Sequence, residues 1–259
     1  MVKNNSVNLS QAHLNLLSIC PPKFQQVYLD CLGSIPNPQQ QESMAWGSRF
    51  HLLMQQRELD LPIASLLASD SELDTAFQAL IQTAPELSKS ETDWWREAEH
   101  LRTLGYGNFV LTVIFDLLIA NRDRAIILDW KTYRKPQKAK QLAQNWQTRL
   151  YLYVLAETSE YSPEQIQMTY WFVRSGKPRQ VTLNYDPIQH QNTERELDLL
   201  LTQLETWLQN YQELRLDFPH VTDCQERCPH YESLVTEASP AEQQQNWLKA
   251  IAEIEEMPI

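Results

Sequence analysis

Two neighbouring apolar runs dominate the middle of the chain. Phe109 to Ala120 reads FVLTVIFDLLIA, and Ala125 to Thr132 reads AIILDWKT. Both are rich in Ile, Val, Leu and aromatic residues, as strands are. The polar stretch Asn121-Arg122-Asp123-Arg124 reads as a tight turn, so the runs predict an antiparallel hairpin. Gln165–Val173 and Arg179–Tyr185 repeat the pattern around Ser175-Gly176-Lys177-Pro178 and predict a second hairpin. Elsewhere the apolar period is that of helices. Residues 9–33 read as helical around Cys20-Pro21-Pro22, and residues 41–58 as a helix with Met44, Phe50, Leu53 and Met54 on its apolar side. Residues 61–104 read as further helices, with Trp94, Trp95 and Leu101 in the core. Residues 138–157 predict an amphipathic helix. Residues 187–214 predict a long one, with Leu197, Leu200, Leu201, Leu204, Leu208 and Tyr211 at helical spacing. Residues 236–259, rich in Gln and Glu, read as a helical tail. This order of helices and strand pairs predicts an α/β fold with a central mixed β-sheet flanked by helices.

Two acids interrupt the apolar strands. With the first hairpin centred on Arg122-Asp123, Asp116 lies directly opposite Asp129, and alternation puts Lys131 on the same face. Opposed carboxylates on paired strands have Cβ atoms about 5 Å apart and repel. A cation between them, or a proton on one, relieves this. Two hard oxygen ligands beside an ammonium fit a site for Mg²⁺ or Mn²⁺ and for phosphate chemistry. The ordinary alternative is a salt bridge between Lys131 and one acid at a strand end. Convergence of two acids and a lysine inside apolar strands favours the metal. The argument depends on register, because a one-residue slip puts the acids on opposite faces.

Composition narrows the classes. A chain of 259 residues with 42% hydrophobic content builds one large domain with a proper core. Five glycines imply many helices and few tight turns. No apolar run reaches the length of a membrane span, and the N-terminus lacks the apolar stretch of a secretory signal. The expected location is cytoplasmic, where Cys20, Cys31, Cys224 and Cys228 stay reduced. A net charge of −11 argues against broad wrapping of nucleic acid. Its distribution is uneven: Arg122 to Arg149 holds eight basic residues against two acids. That basic stretch begins at the acidic pair and includes Arg134 and Lys135, which are expected to meet a phosphate backbone. There is no P-loop and no His-Glu-x-x-His, and Gly105-Tyr106-Gly107 lacks the third glycine of a dinucleotide site.

The motif order resembles a family. Cys20-Pro21, Gly47-Ser48-Arg49-Phe50-His51, Phe115-Asp116, Asp129-Trp130-Lys131-Thr132 and Gln147-Thr148-Arg149-Leu150-Tyr151 are similar, in that order, to the motifs of the RecB-like branch of the PD-(D/E)XK nuclease superfamily. The resemblance covers residues 9 to about 235. It implies a restriction-endonuclease-like core over residues 1–235, with residues 45–104 as a helical elaboration and residues 236–259 as the tail. It also implies roles. Asp116 and Asp129 hold a divalent metal, with His51 as a further ligand and the Trp130 carbonyl completing the shell. Lys131 orients or deprotonates the attacking water, while Gln147 and Tyr151, neighbours on one helix face, line the substrate channel. The glycine usual before the first acid is absent, and Phe115 stands where the superfamily's name has proline.

Several relatives in this branch carry an iron–sulfur cluster on one cysteine near the N-terminus and three near the C-terminus. Cys20, Cys224 and Cys228 fill three of those places, and no fourth cysteine follows Cys228. Four thiolates are the usual shell, so no cluster is expected and the three residues read as its remnant. The implied activity is metal-dependent hydrolysis of DNA phosphodiester bonds, from an end or on single strands. The alternatives are a non-catalytic module binding nucleic acid or a partner on the same fold, and a subunit that works with a helicase or repair protein.

Overall fold

Six strands form one mixed sheet. They are β1 (Val7–Leu9), β2 (Trp95–Tyr106), β3 (Phe109–Ala120), β4 (Ala125–Lys131), β5 (Ile166–Phe172) and β6 (Arg179–Asn184). The computed structural model describes residues 7–33, 36–87, 94–133 and 135–222. β3 is central, and β2 runs antiparallel along its whole length. A strand has only two edges, so β1 and β4 must share the other one. β1 pairs in parallel with Phe109–Leu111, and β4 pairs antiparallel with Leu117–Ala120. Asp116 lies in the gap between these two ladders. β4 then pairs in parallel with β5, and β5 antiparallel with β6.

Turn chemistry fixes the registers. The Asn121 Oδ1 accepts from the backbone N–H groups of Asp123 and Arg124 at 2.9 and 3.0 Å, which closes the β3–β4 turn. Ala120 therefore faces Ala125 and Leu117 faces Leu128, which is the register expected from the sequence. Its next step would set Asp116 against Asp129. β2 and β3 are joined by the two-residue turn Gly107-Asn108, with Tyr106 facing Phe109. Gly107 has φ of 58°, the left-handed region that such tight hairpins need.

The strand β2 corrects the helical reading of residues 95–104. Its dense charges suit a helix surface, yet exposure alternates along it except at Glu99, as on a strand with one open face. Trp95 and Leu101 are 48% and 58% exposed, so neither is core. β1 also escaped the pattern, because three residues are too few to show a period.

Helices cover both sides of the sheet. α1 (Gln11–Ile19) and α2 (Pro21–Phe24) belong to a second unit described below; on one side of the sheet lie α3 (Pro38–Glu58), α4 (Ala64–Ser69) and α5 (Ser71–Thr83). The Asp70 side chain caps α5 by accepting from Leu73 N–H at 3.0 Å. Phe50 and Leu53 of α3 join Leu73, Phe77 and Leu80 of α5 in a core with Leu117, Ile119, Leu128, Trp130 and Trp171. On the other side lie α6 (Ala139–Gln144) and α7 (Trp146–Glu157). The single helix predicted over 138–157 is thus two. Asn145 separates them and caps the second by accepting from Gln147 N–H at 2.8 Å. Tyr151 of α7 packs edge-on against Phe115, and Thr148 Oγ1 hydrogen-bonds the Tyr170 hydroxyl at 2.7 Å. The sheet is therefore mixed and flanked by helices, as the sequence predicted.

Contacts divide the chain into two units, Met1–Ser10 with Glu42–Thr193, and Gln11–Gln41 with Glu194–Ile259. Within the second unit, Gln25 donates to Asp217 Oδ1 at 2.8 Å and accepts from Phe218 N–H at 2.7 Å, and Phe218 stacks on Phe24. α8 (Pro187–Leu214) has the predicted bounds, and Leu197, Leu200, Leu201 and Leu204 of its stripe are buried. Among the described residues no helix is long and apolar enough to cross a membrane. The expected boundary at 235 and the tail 236–259 lie outside the described residues, as do Arg134, Cys224 and Cys228.

Candidate active site

Residues two apart on a regular strand share a side of the sheet. Phe115 and Leu117 do not: Phe115 packs on Tyr151 of α7, while Leu117 sits in the core under α3 and α5. The strand turns over at Asp116. Its neighbour breaks at the same level. Glu99, between paired Ala98 and His100, is opposite Asp116 in register and has φ of 51°. A non-glycine residue in that region is uncommon and carries strain of order ~1 kcal/mol. The break brings both carboxylates to His51 of α3. Ligand atoms of His51, Glu99 and Asp116 all lie within 4.8 Å of one another, and His51 Nδ1 is 3.3 Å from Asp116 Oδ1.

Asp116 uses its other oxygen on the backbone. Its Oδ2 accepts from Trp130 N–H at 2.7 Å. A buried N–H must find a partner, and here a carboxylate replaces a ladder carbonyl where β3 and β4 part. One residue to each side of Trp130 are Asp129 and Lys131, only 2% and 5% exposed. Lys131 Nζ lies 2.9 Å from Asp129 Oδ2. Gln147, on the first turn of α7, joins them: its Oε1 accepts from Lys131 Nζ and its Nε2 donates to Asp129 Oδ1, each at 2.6 Å. One amide thus supplies an acceptor to the ammonium and a donor to the carboxylate. The Tyr170 ring lies 5.2 Å from the ammonium as a cation–π partner.

Three carboxylates therefore converge on one histidine and one lysine. Burial opposes a charge on His51, yet the Asp116 carboxylate, helped by its hydrogen bond and by Asp129 and Glu99, raises the imidazole to about 9. Burial also lifts Glu99 above the usual carboxylate range, and the Asp116 charge adds to it. Asp129 is lifted by burial, against the Lys131 charge that favours its ionised form. Burial, then the charges of Asp129 and Asp116, push the Tyr151 phenol well up, so it stays neutral. The cluster is short of positive charge. His51 Nε2 is buried and has no hydrogen-bond partner among the described residues. An imidazole with Nδ1 against the Asp116 carboxylate, and with Glu99 in the same cluster, is a nitrogen and oxygen donor set that fits a divalent cation.

The structure thus brings together six residues singled out in the sequence: His51, Asp116, Asp129, Lys131, Gln147 and Tyr151. Trp130 lies between two of them and spends its N–H on Asp116. Lys135 is exposed in the connection after β4. Cys20 is buried and Cys31 exposed, both in the second unit.

The family model of the PD-(D/E)XK nuclease superfamily matches residues 8–233. The chain belongs to this superfamily. A crystal structure from Eubacterium rectale, described as a "putative exonuclease", aligns over 93% of this chain and 95% of its own, with a TM-score of 0.55 and 10% identity. At that identity the likeness is one of fold. The structure of SSO0001 aligns over 78% of this chain and 79% of its own, with a TM-score of 0.34 and 13% identity, too low to argue a shared fold. No curated protein matches the sequence.

In this member of the PD-(D/E)XK superfamily, one residue of the cluster, Glu99, was not legible in the sequence. The helical reading of residues 61–104 leaves Glu99 with no relation to Asp116. The signal for it was present in the Gly107-Asn108 turn, which places Glu99 opposite Asp116 once β2 is read as a strand.

Proposed function

We propose that this nuclease is a RecB-like member of its superfamily and hydrolyses DNA phosphodiester bonds with Mg²⁺ or Mn²⁺, from an end or on single strands. One observation carries the reading. His51, Glu99 and Asp116 converge within 4.8 Å, next to the buried Asp129–Lys131 pair. His51, Glu99, Asp116 and Asp129 would hold the cation. A divalent cation there supplies Lewis acidity toward a phosphate oxygen and acidifies water at neutral pH.

The chain's own residues do the rest. Lys131, fixed by Asp129 and Gln147, presents an ammonium that orients the attacking water and offsets the negative charge gathering on phosphate. Water attacks phosphorus and the bond to the leaving oxygen breaks; the water gives up a proton to solvent and the leaving oxygen takes one up. Gln147 keeps Lys131 and Asp129 in one geometry, and α7 holds Gln147 through the Asn145 cap. The exposed Lys135, with Arg134 beside it in sequence, meets the phosphate backbone. A helicase or repair protein that supplies unpaired ends is a fitting partner for such chemistry.

The test uses end-labelled single-stranded and duplex DNA, and RNA of the same sequence, with Mg²⁺, Mn²⁺ or EDTA. The proposal expects metal-dependent cutting of DNA, with a ladder that starts at one end or on single strands. Mn²⁺ binding without cutting of any strand would point to a missing partner, and neither cutting nor Mn²⁺ binding would make the fold a binding module.

A further inference from the structure

Beyond the carboxylates, the β2–β3 ribbon carries a feature that metal binding does not explain. Leu101 and Ile114 face each other in register and are 58% and 45% exposed. One exposed aliphatic residue is ordinary. Two branched ones, paired in a regular ladder, form an apolar step. The row continues as Thr103 with Thr112 and Gly105 with Val110. In the other direction the next level is Glu99 with Asp116. The apolar step is thus about 7 Å along the strands from the acids.

This row offers nothing to a phosphate. It contains no cation, and its hydroxyls lie beyond the apolar step. Positive charge enters from elsewhere. Lys131 lies at the end of β4, on the opposite edge of β3 from β2, and the exposed Lys135 and Lys138 follow it. In strand order, Asp116 on β3 and Asp129 on β4 therefore lie between the Leu101–Ile114 step and Lys131 with the lysines that follow it in sequence. An unpaired nucleic-acid strand has the same polarity, with charged phosphates on one side and apolar base faces on the other. A duplex hides its base faces in the stack and presents phosphate and sugar outward.

We infer that Leu101 and Ile114 are the floor on which the bases next to the cleaved bond rest, and that they select an unpaired DNA strand. This rests on the nuclease reading of the site. Leu101 and Ile114 are specificity residues that contact substrate away from the reacting atoms.

The test compares wild type with the double variant Leu101→Thr and Ile114→Thr. Threonine keeps the strand preference of these positions while removing most of the apolar surface. Two fluorescein-labelled single strands are used, one intact and one with abasic residues throughout, which keeps the sugar–phosphate chain. With Mn²⁺, wild type should show kcat/KM about tenfold higher on the intact strand, the effect of removing about 55 Å² of apolar surface from water. The variant should treat both strands alike, at the rate of wild type on the abasic strand. A wild type without this preference, a variant that keeps it, or an equal loss on both strands would overturn the inference. If wild type cuts nothing, the nuclease reading fails on its own. Fluorescence anisotropy in EDTA then still decides: about tenfold weaker binding of the intact strand by the variant supports the floor, and equal binding overturns it. A wild-type dimer that the substitutions dissociate on a sizing column would show that the pair closes on a second copy, and would also overturn it.

Discussion

Gly47 lies inside α3, one helical turn before His51, and is buried against the strand end that carries Lys131. Gly47→Ala should stabilise the helix by about 1 kcal/mol on propensity alone. The structure opposes that gain. A Cβ at Gly47 would come 3.0 Å from Thr132 Oγ1, while the Thr132 Cβ and Cγ2 would be at ordinary distances of 3.8 and 3.9 Å. Overpacking of this kind costs about 1–3 kcal/mol. The expected net effect is a loss of about 1 kcal/mol. Thr132→Ala removes the one close atom and leaves the Cβ contact. In that background Gly47→Ala should become stabilising by about 1 kcal/mol, a coupling near 2 kcal/mol. Urea unfolding of the four proteins measures it. An added Cβ would press α3 away from the end of β4, so Gly47→Ala alone should weaken Mn²⁺ binding and Thr132→Ala should restore it. Equal stabilisation by Gly47→Ala in both backgrounds would refute the reasoning, because Thr132 would then be yielding freely.

Three further outcomes are expected. His51 is raised to about 9, so at neutral pH it must lose its proton to accept a cation. Calorimetry in buffers of different ionisation enthalpy should show about one proton released per Mn²⁺ at pH 7, and affinity should climb about tenfold per pH unit until it levels near 9; a flat profile from pH 7 to 9 would contradict this. Glu99→Gln should weaken Mn²⁺ binding by at least about tenfold, because ligand charge sets affinity in oxygen sites. The same change should leave the metal-free melting temperature unchanged or higher, since it removes a half-buried acid repelled by Asp116; unchanged Mn²⁺ affinity would exclude Glu99 as a ligand. Gln147→Leu deprives both Asp129 and Lys131 of a partner and should cost about 3 kcal/mol in urea unfolding. A cost near zero would mean that the clamp is not formed in solution.

The legible parts of this fold were those with strong local chemistry. The β3–β4 register followed from a polar turn between two apolar runs, and Asn121 closes that turn by the side-chain bonds such residues make. The long helix α8 was bounded well because a stripe of leucines repeats over its length. β2 was lost because Arg96, Glu97, Glu99 and Arg102 mimic a helix surface, and its apolar residues are few. Losing β2 hid Glu99 and misplaced Leu101, which is open to solvent beside the acids. The turnover at Asp116 was not legible at all. It depends on β1 and β4 sharing one edge of β3, a long-range arrangement that leaves no local mark. Sequence pattern named the acids, the lysine and the glutamine, but their roles as cap, ion pair and clamp required the sheet to part.

The most direct measurement is single-turnover cleavage of end-labelled single-stranded DNA by wild type, Asp116→Asn and Lys131→Ala, with Mn²⁺ binding measured on the same samples. The account predicts that wild type cuts with Mn²⁺ and not in EDTA. Asp116→Asn should lose both cutting and most Mn²⁺ binding. Lys131→Ala should still bind Mn²⁺ yet cut at least about a hundredfold more slowly, the scale for loss of a charge that stabilises a transition state. Wild-type rates in both variants would contradict the assignment of this cluster as the catalytic centre.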